Sequence, residues 1–308
     1  MKTVLITGAT GLIGQEIVSL CHQHKMYVHY LTTSKHKISN TANYKGFYWN
    51  PETKDIDLAC FDGVSAIINL VGASISKRWT PRYKEEILKS RTETAQLLFD
   101  TITTHNIPIT QIVSASAIGI YPNSLTNYYN ETQDQVSDSF LGEVVAQWEA
   151  TVDQFSGVGI RVTKLRIGLV LSKDGGALPE IVKPIRFGVG AAFGTGEQWQ
   201  SWIHVQDLAR MFVFALTHNL EGVYNGVAPN PVCNSELTKA VAECLDKPLL
   251  LPNIPRFMMK IALGEMSMLL FESQRVSASK ITDAGFDFEF QNIRAALNAM
   301  YKTHKVYA

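Results

Sequence analysis

No run of apolar residues in this chain approaches the roughly 20 needed to cross a bilayer. Neither sign of charge is in excess, since 28 Lys and Arg face 28 Asp and Glu with no basic tail or stripe. That balance argues against nucleic acid and anionic membrane surfaces as partners. Cysteine is scarce. Cys21, Cys60, Cys233 and Cys244 show neither metal-type nor Cys-x-x-Cys spacing, so no metal centre is expected and a reducing compartment suits the chain. Cys21 and Cys244 fall in helix-like stretches and read as small core residues. The first strand begins at residue 3, which leaves no room for a secretion signal, and the expected location is the cytoplasm.

What is present is a core-forming composition. Hydrophobic residues make up 46% of the 308 and charged ones 18%, which suits one large α/β unit or a nucleotide domain plus a smaller partner. Thr3 to Thr7, Tyr27 to Leu31, Ser65 to Val71, Gln111 to Ser114 and Ile160 to Leu171 read as strands. Between them, Gln15 to His22, Pro81 to His105 and Ser139 to Phe155 carry apolar residues near helical spacing. Strands without period-two alternation, separated by helices, predict a Rossmann-type doubly wound α/β fold with a parallel sheet covered on both faces. After about residue 172 the rhythm breaks into glycine-rich loops (Gly188 to Gly196) and proline turns (Pro248 to Pro255). The expected division is a dinucleotide-binding domain over 1–171, completed by about 203–230, with a smaller C-terminal α/β domain from 172–202 and 231–308. The Met-rich stretch Phe257 to Phe271 has apolar residues at helical spacing. Core packing in the small domain is its expected role, with a mobile lid or a dimer face as the alternative.

Gly8-Ala-Thr-Gly11-Leu-Ile-Gly14 lies between the first strand and the first helix. In such a turn Gly8 permits the tight backbone, Gly11 lets the main chain approach a pyrophosphate, and Gly14 lets helix and strand pack closely. The helix start then offers free N–H groups and a positive dipole end to phosphate. A glycine turn alone is common; its place in the first strand–turn–helix of a repeating β/α chain is what points to a dinucleotide. Cofactor choice is read about twenty residues on, where NAD sites place an acidic residue for the ribose 2′-hydroxyl. No acidic residue occurs between Glu16 and Glu52, and the second strand runs into Leu31-Thr-Thr-Ser-Lys-His-Lys37. Hydroxyls and cations there suit a 2′-phosphate, so NADP(H) is expected over NAD(H), with Lys35 among its contacts. A solvated turn with ordinary lysines is the other reading.

The chain resembles the extended short-chain dehydrogenase/reductases, in particular their atypical branch of nucleoside-diphosphate-sugar epimerase-like proteins. Matching pieces run from Thr7-Gly-Ala-Thr-Gly-Leu-Ile-Gly14 through Asn69-Leu-Val-Gly72, Arg78-Trp-Thr-Pro81, Ser114-Ala-Ser-Ala-Ile-Gly-Ile-Tyr121, Trp148-Glu149 and Leu165-Arg-Ile-Gly-Leu-Val-Leu171. They continue in Trp202-Ile-His-Val-Gln-Asp207 and in the tail from Gly264-Glu-Met266 to Gln274-Arg-Val276. The resemblance implies cofactor contacts at Thr10, Leu12 and Ile13, at Thr32 and Thr33, at Leu70, Val71 and Gly72 on the tip of the fourth strand, and at Glu86 and Arg91 on the next helix. Many members of this branch carry Arg where Thr33 stands; Lys35 or Lys37 would have to replace it.

The superfamily also implies a Tyr-x-x-x-Lys pair on the helix after the fifth strand, where tyrosine moves the proton and lysine lowers its pKa. Anchored on Glu149, that helix places Leu141 and Val145 at the two positions, and no lysine occurs between Lys89 and Lys164. The pattern occurs only at Tyr301 and Lys305, in the C-terminal tail, and is read there as coincidence. The catalytic candidates are therefore Ser116, which either orients a reacting oxygen or caps a strand end, and Tyr121, which either donates a proton or packs as an aromatic. Asp207 is expected to cap the helix that follows it. Two functions stay open: an epimerase or reductase acting on a small polar substrate, a nucleotide sugar among the options, and a dinucleotide-loaded redox sensor or interaction protein without turnover. Either is expected as a monomer or homodimer.

Overall fold

The computed structural model describes residues 2–302. Seven strands lie parallel in one sheet: β1 (Thr3–Thr7), β2 (Tyr27–Thr32), β3 (Tyr44–Asn50), β4 (Val64–Asn69), β5 (Gln111–Ala117), β6 (Arg161–Ile167) and β7 (Gly222–Gly226). Their order across the sheet is β7-β6-β5-β4-β1-β2-β3, and the short strands Asn40–Thr41 and Asp55–Ile56 pair antiparallel with β3. The order of strand addition reverses between β1 and β4, which remain parallel. At such a switch point two connections leave for opposite faces and open a crevice beyond the carboxyl ends of the strands. Helix α1 (Leu12–Gln23) packs against α5 (Val205–Thr217), and α2 (Pro81–Thr104) against α3 (Phe140–Asp153). The sheet is thus sandwiched in the Rossmann manner, and its central strands bury side chains on both faces: Val4, Leu5, Ile6, Ile67, Ile68, Ile112 and Val113 are fully enclosed.

Helix starts follow their capping residues. Thr80 accepts the Tyr83 N–H at 3.2 Å ahead of Pro81, and Ser139 accepts the Gly142 N–H at 3.1 Å. A second apolar cluster gathers Leu171, Leu178, Trp202, Leu237, Val241, Ile293 and Leu297, from α4 (Ala177–Arg186), α6 (Asn234–Cys244), α10 (Ile293–Tyr301, after the short α9, Ser279–Asp283) and two short strands.

The structure corrects the sequence reading in three places. Strand β3 escaped it because Tyr-Lys-Gly-Phe-Tyr-Trp-Asn is a half-buried edge sequence without an apolar run. Its Gly46 is required: a Cβ there would meet the Tyr30 ring at 2.5 Å. The single strand expected over Ile160 to Leu171 is two. Gly168 leaves the main sheet, where its N–H donates to Gly226 O at 3.1 Å, and Leu169–Ser172 joins a separate sheet beside Trp202–His204. The Met-rich stretch is not a core helix. Gly264, at φ 63°, breaks it into α7 (Arg256–Leu263), a 3-10 turn and α8 (Met268–Phe271). Helix α7 buries none of its residues and leaves Phe257 and Ile261 65% and 77% exposed, while Met266, Met268 and Leu269 pack on Trp79, Ile87, Leu141 and Val144.

Candidate functional site: the crevice at the carboxyl ends of β1, β4 and β5

Gly8 leaves β1 at φ 73°, a conformation that side chains disfavour, and a Cβ on it would sit 3.2 Å from the Leu70 Cβ. The turn is therefore pressed against the tip of β4. Gly11 donates its N–H back to Gly8 O at 3.0 Å and forms the extended N-cap of α1. At Gly14 an added Cβ would run into Gly8 O and come within 2.7 Å of the Ala9 Cα, so only glycine lets the helix start this close to the strand. No side chain caps α1 and its first turn holds no acidic residue. The amides around Leu12 and Ile13 thus present a positive end without a protein counter-charge. Thr10 flanks the turn, its carbonyl accepting from Gln15 Nε2 at 3.0 Å.

Behind the turn a polar row crosses three neighbouring strands. Thr7 Oγ1 donates to Asn69 Oδ1 at 2.7 Å, and Asn69 Nδ2 donates to Ser114 Oγ at 3.2 Å, the three residues being register partners. Thr7 Oγ1 also accepts the Leu70 N–H at 3.1 Å, which fixes the start of the loop carrying Val71 and Gly72. On α2, Arg91 donates from Nη1 to Ile87 O at 2.8 Å and from Nη2 to Ala73 O at 3.1 Å. Gly72 gives the guanidinium its seat, since a Cβ there would lie 2.8 Å from the guanidinium carbon and displace it. Burial lowers Arg91 to about 10. Its hydrogen bonds shape the 72–73 loop, whereas Glu86 on the same helix stands exposed. At the end of β2, Thr32 is buried and its hydroxyl accepts the Ser34 N–H at 3.2 Å, while Thr33 is exposed. Lys35, also exposed, has its ammonium 4.9 Å from the Tyr48 ring centroid.

The two catalytic candidates lie in one buried network, joined by residues the sequence reading did not assign to the site. Ser116 Oγ donates to Glu149 Oε1 at 2.5 Å. Arg166 grips the same carboxylate twice, Nε to Oε1 and Nη2 to Oε2, both at 2.9 Å. Lys164 Nζ stands 3.6 Å from Oε2 and 2.7 Å from Asp153. Burial alone would raise the Glu149 pKa, but Arg166, Ser116 and Lys164 hold it below the usual carboxylate range. Tyr121 is fully buried, stacks on Tyr129 at 5.2 Å, donates to Asn225 Oδ1 at 2.8 Å and accepts from Arg166 Nη1 at 3.1 Å. Burial, opposed in part by Arg166, raises its pKa. The two hydroxyls are thus committed inside the protein. Leu141 and Val145, at the family's tyrosine and lysine positions, are buried apolar residues of the α3 stripe. A signal for the network was present: Lys164 and Arg166 alternate within an apolar strand and so share one face, which demands a buried acid opposite.

Asp207 does not cap its own helix. It accepts the N–H groups of Glu289 and Phe290 at 3.0 and 2.8 Å and pairs with Arg210, while His204 Nδ1 caps α5 through the Gln206 N–H at 3.2 Å. Tyr301 ends α10 beside Arg186, and Lys305 lies outside the described residues. Among the described residues no three His, Cys, Asp or Glu form a metal-binding group, and no helix is long and apolar enough to cross a membrane.

Comparison with known proteins agrees with this architecture. The NAD dependent epimerase/dehydratase family matches residues 4–227, and a domain of unknown function, DUF1731, matches residues 254–300. An epimerase family protein of Staphylococcus epidermidis is 36% identical over 307 residues, covering 98% of this chain and all of the relative. Human epimerase family protein SDR39U1 (isoform 2), crystallised with NADPH, superposes with a TM-score of 0.87 at 29% identity, over 98% of this chain and 99% of that one. A nucleoside-diphosphate sugar epimerase from Corynebacterium glutamicum gives 0.77 at 27% identity, covering 97% of this chain and 58% of the other.

Proposed function

This chain belongs to the NAD dependent epimerase/dehydratase family, and on that premise we propose that it binds NADP(H) across the crevice between β1 and β4 and uses it in a redox step on a small polar substrate, a nucleotide sugar being one option. The observation that carries the reading is the glycine turn: Gly8 holds a positive φ against the tip of β4, Gly14 leaves no room for a Cβ, and the start of α1 is uncapped. Residues 8–14 would hold the pyrophosphate through backbone amides. Thr32, Thr33 and Lys35 would meet the adenosine ribose and its 2′-phosphate, with no acidic residue between Glu16 and Glu52 to repel it. Leu70, Val71 and Gly72 would line the path toward the nicotinamide, held in place by Arg91 and Ser90, whose hydroxyl accepts the Ala73 N–H at 2.8 Å. The nicotinamide, when bound, supplies or takes the hydride. NADPH bound to the human relative supports the phosphorylated cofactor.

Thermal shift with NADPH and NADH at equal concentration tests the reading. NADPH should raise the melting temperature more, because stabilisation grows with ligand concentration over Kd; equal shifts would defeat the 2′-phosphate argument.

A second reading, a dinucleotide-binding protein without turnover, is favoured by the burial of Ser116 and Tyr121 in the Glu149 network and by apolar Leu141 and Val145. Persistent NADPH absorbance in the presence of fractionated cell extract, with no metabolite consumed, would select it over the enzyme.

A further inference from the structure

Arg275 and Val276 form a short strand that pairs in parallel with Tyr128 and Tyr129. Alternation buries Tyr129 and Val276 and leaves Tyr128 and Arg275 on the other face, Tyr128 exposed and Arg275 half-buried. The Arg275 guanidinium carbon lies over two aromatic rings, 4.4 Å from the Trp199 centroid and 5.1 Å from that of Tyr128. Those rings hold the planar fork while leaving its in-plane N–H edges as its means of recognition. Among the described residues the side chain makes no hydrogen bond or ion pair, and its Nε is buried without a partner. The two terminal nitrogens of the fork, which are not buried, also lack an acceptor among the described residues, so an anion arriving at that outer edge would supply one.

The position is as telling as the missing partner. Ser273 accepts the Trp199 N–H at 3.0 Å and donates from its hydroxyl to Ser124 O at 2.8 Å, and Gln274 Nε2 reaches Tyr121 O at 3.4 Å. Arg275 is thereby fastened to the loop that leaves β5 after Ser116, on the carboxyl-end side of the sheet where ligands of open α/β folds sit.

We propose that Arg275 receives an anionic group of the substrate, a phosphoryl or carboxylate group met edge-on by its two-pronged fork, with Trp199 and Tyr128 fixing the plane. This rests on the cofactor occupying the glycine turn. The test therefore uses the full chain saturated with NADPH, so that added anions cannot fill that turn, and titrates inorganic pyrophosphate in one arm and succinate in the other. At least one anion binds the wild type, and its Kd weakens about tenfold or more in Arg275→Gln, with Arg275→Lys between the two and NADPH affinity unchanged in all three. The responding arm tells phosphoryl from carboxylate. Equal anion affinity in wild type and Arg275→Gln, or no binding of either anion to the wild type at millimolar concentration, overturns the proposal. If Arg275→Gln also loses NADPH, Arg275→Lys decides, and unchanged anion affinity there overturns it. Failure of NADPH to bind any form sinks the cofactor reading instead, and the same titrations on the bare chain then judge Arg275 alone.

Discussion

Glu149 has Ser116, Arg166 and Lys164 around one desolvated carboxylate, so Glu149→Gln strands the Arg166 cation in the interior, while Lys164 keeps Asp153 at 2.7 Å. Breaking such a pair costs about 3–5 kcal/mol; the urea midpoint should fall with the slope unchanged, and a loss under about 1 kcal/mol would mean the site is wetter than the geometry implies. Ser116→Ala removes one hydrogen bond to that carboxylate. It should cost about 1–2 kcal/mol and leave NADPH affinity as it was. Should a turnover assay be found in which Ser116→Ala keeps its stability but loses about tenfold in rate, the hydroxyl works on substrate and the structural assignment fails. The individual residues of the glycine turn were legible in sequence because each glycine answers a local backbone demand. The network was legible only by half: Lys164 and Arg166 on one face of an apolar strand ask for a buried acid, but Glu149 looks like any helical glutamate until β6 brings Arg166 beneath it.

Among elements, the β1–α1 junction is the least forgiving. Gly14→Ala forces the helix start away from Gly8 O, and the expected result is loss of NADPH stabilisation together with a drop of about 1–3 kcal/mol in stability. Full NADPH binding in that variant would show that the close approach is dispensable. Helix α7 should behave oppositely: Ile261→Ser, at a position 77% exposed, should change stability by no more than about 0.5 kcal/mol. Alternating β and α elements could be read from sequence wherever strands were continuous apolar runs, as in β1, β4 and β5. Edge strand β3 and the break at Gly168 could not, since both are decided by tertiary neighbours, Tyr30 for one and the sheet around Ser201 and Gly226 for the other.

For the molecule as a whole, acid sensitivity follows from His204. Burial lowers it from 6.5 to about 4, with Asp207 opposing only in part. The unfolded imidazole takes up a proton that the folded one refuses, so the stabilisation is complete above pH 6.5 and is lost as pH falls toward 4, with about 2 kcal/mol gone by pH 5. Glu149, held low, keeps its contribution until the pH drops below about 4.3 and loses it only beyond that. Urea midpoints measured at pH 7.5 and pH 5 should therefore differ for the wild type and converge in His204→Asn; parallel curves would assign the acid loss elsewhere. The hydrogen-bonded row of Thr7, Asn69 and Ser114 has a consequence for assembly of the sheet. Were β4 to slide one position along β1 while folding, an aliphatic side chain would stand opposite Thr7 and the Asn69 amide would be left dry and mateless. That penalty falls on misaligned sheets alone, so the row acts as a notch that admits a single alignment of the three strands and, with it, a single placement of the phosphate-facing turn.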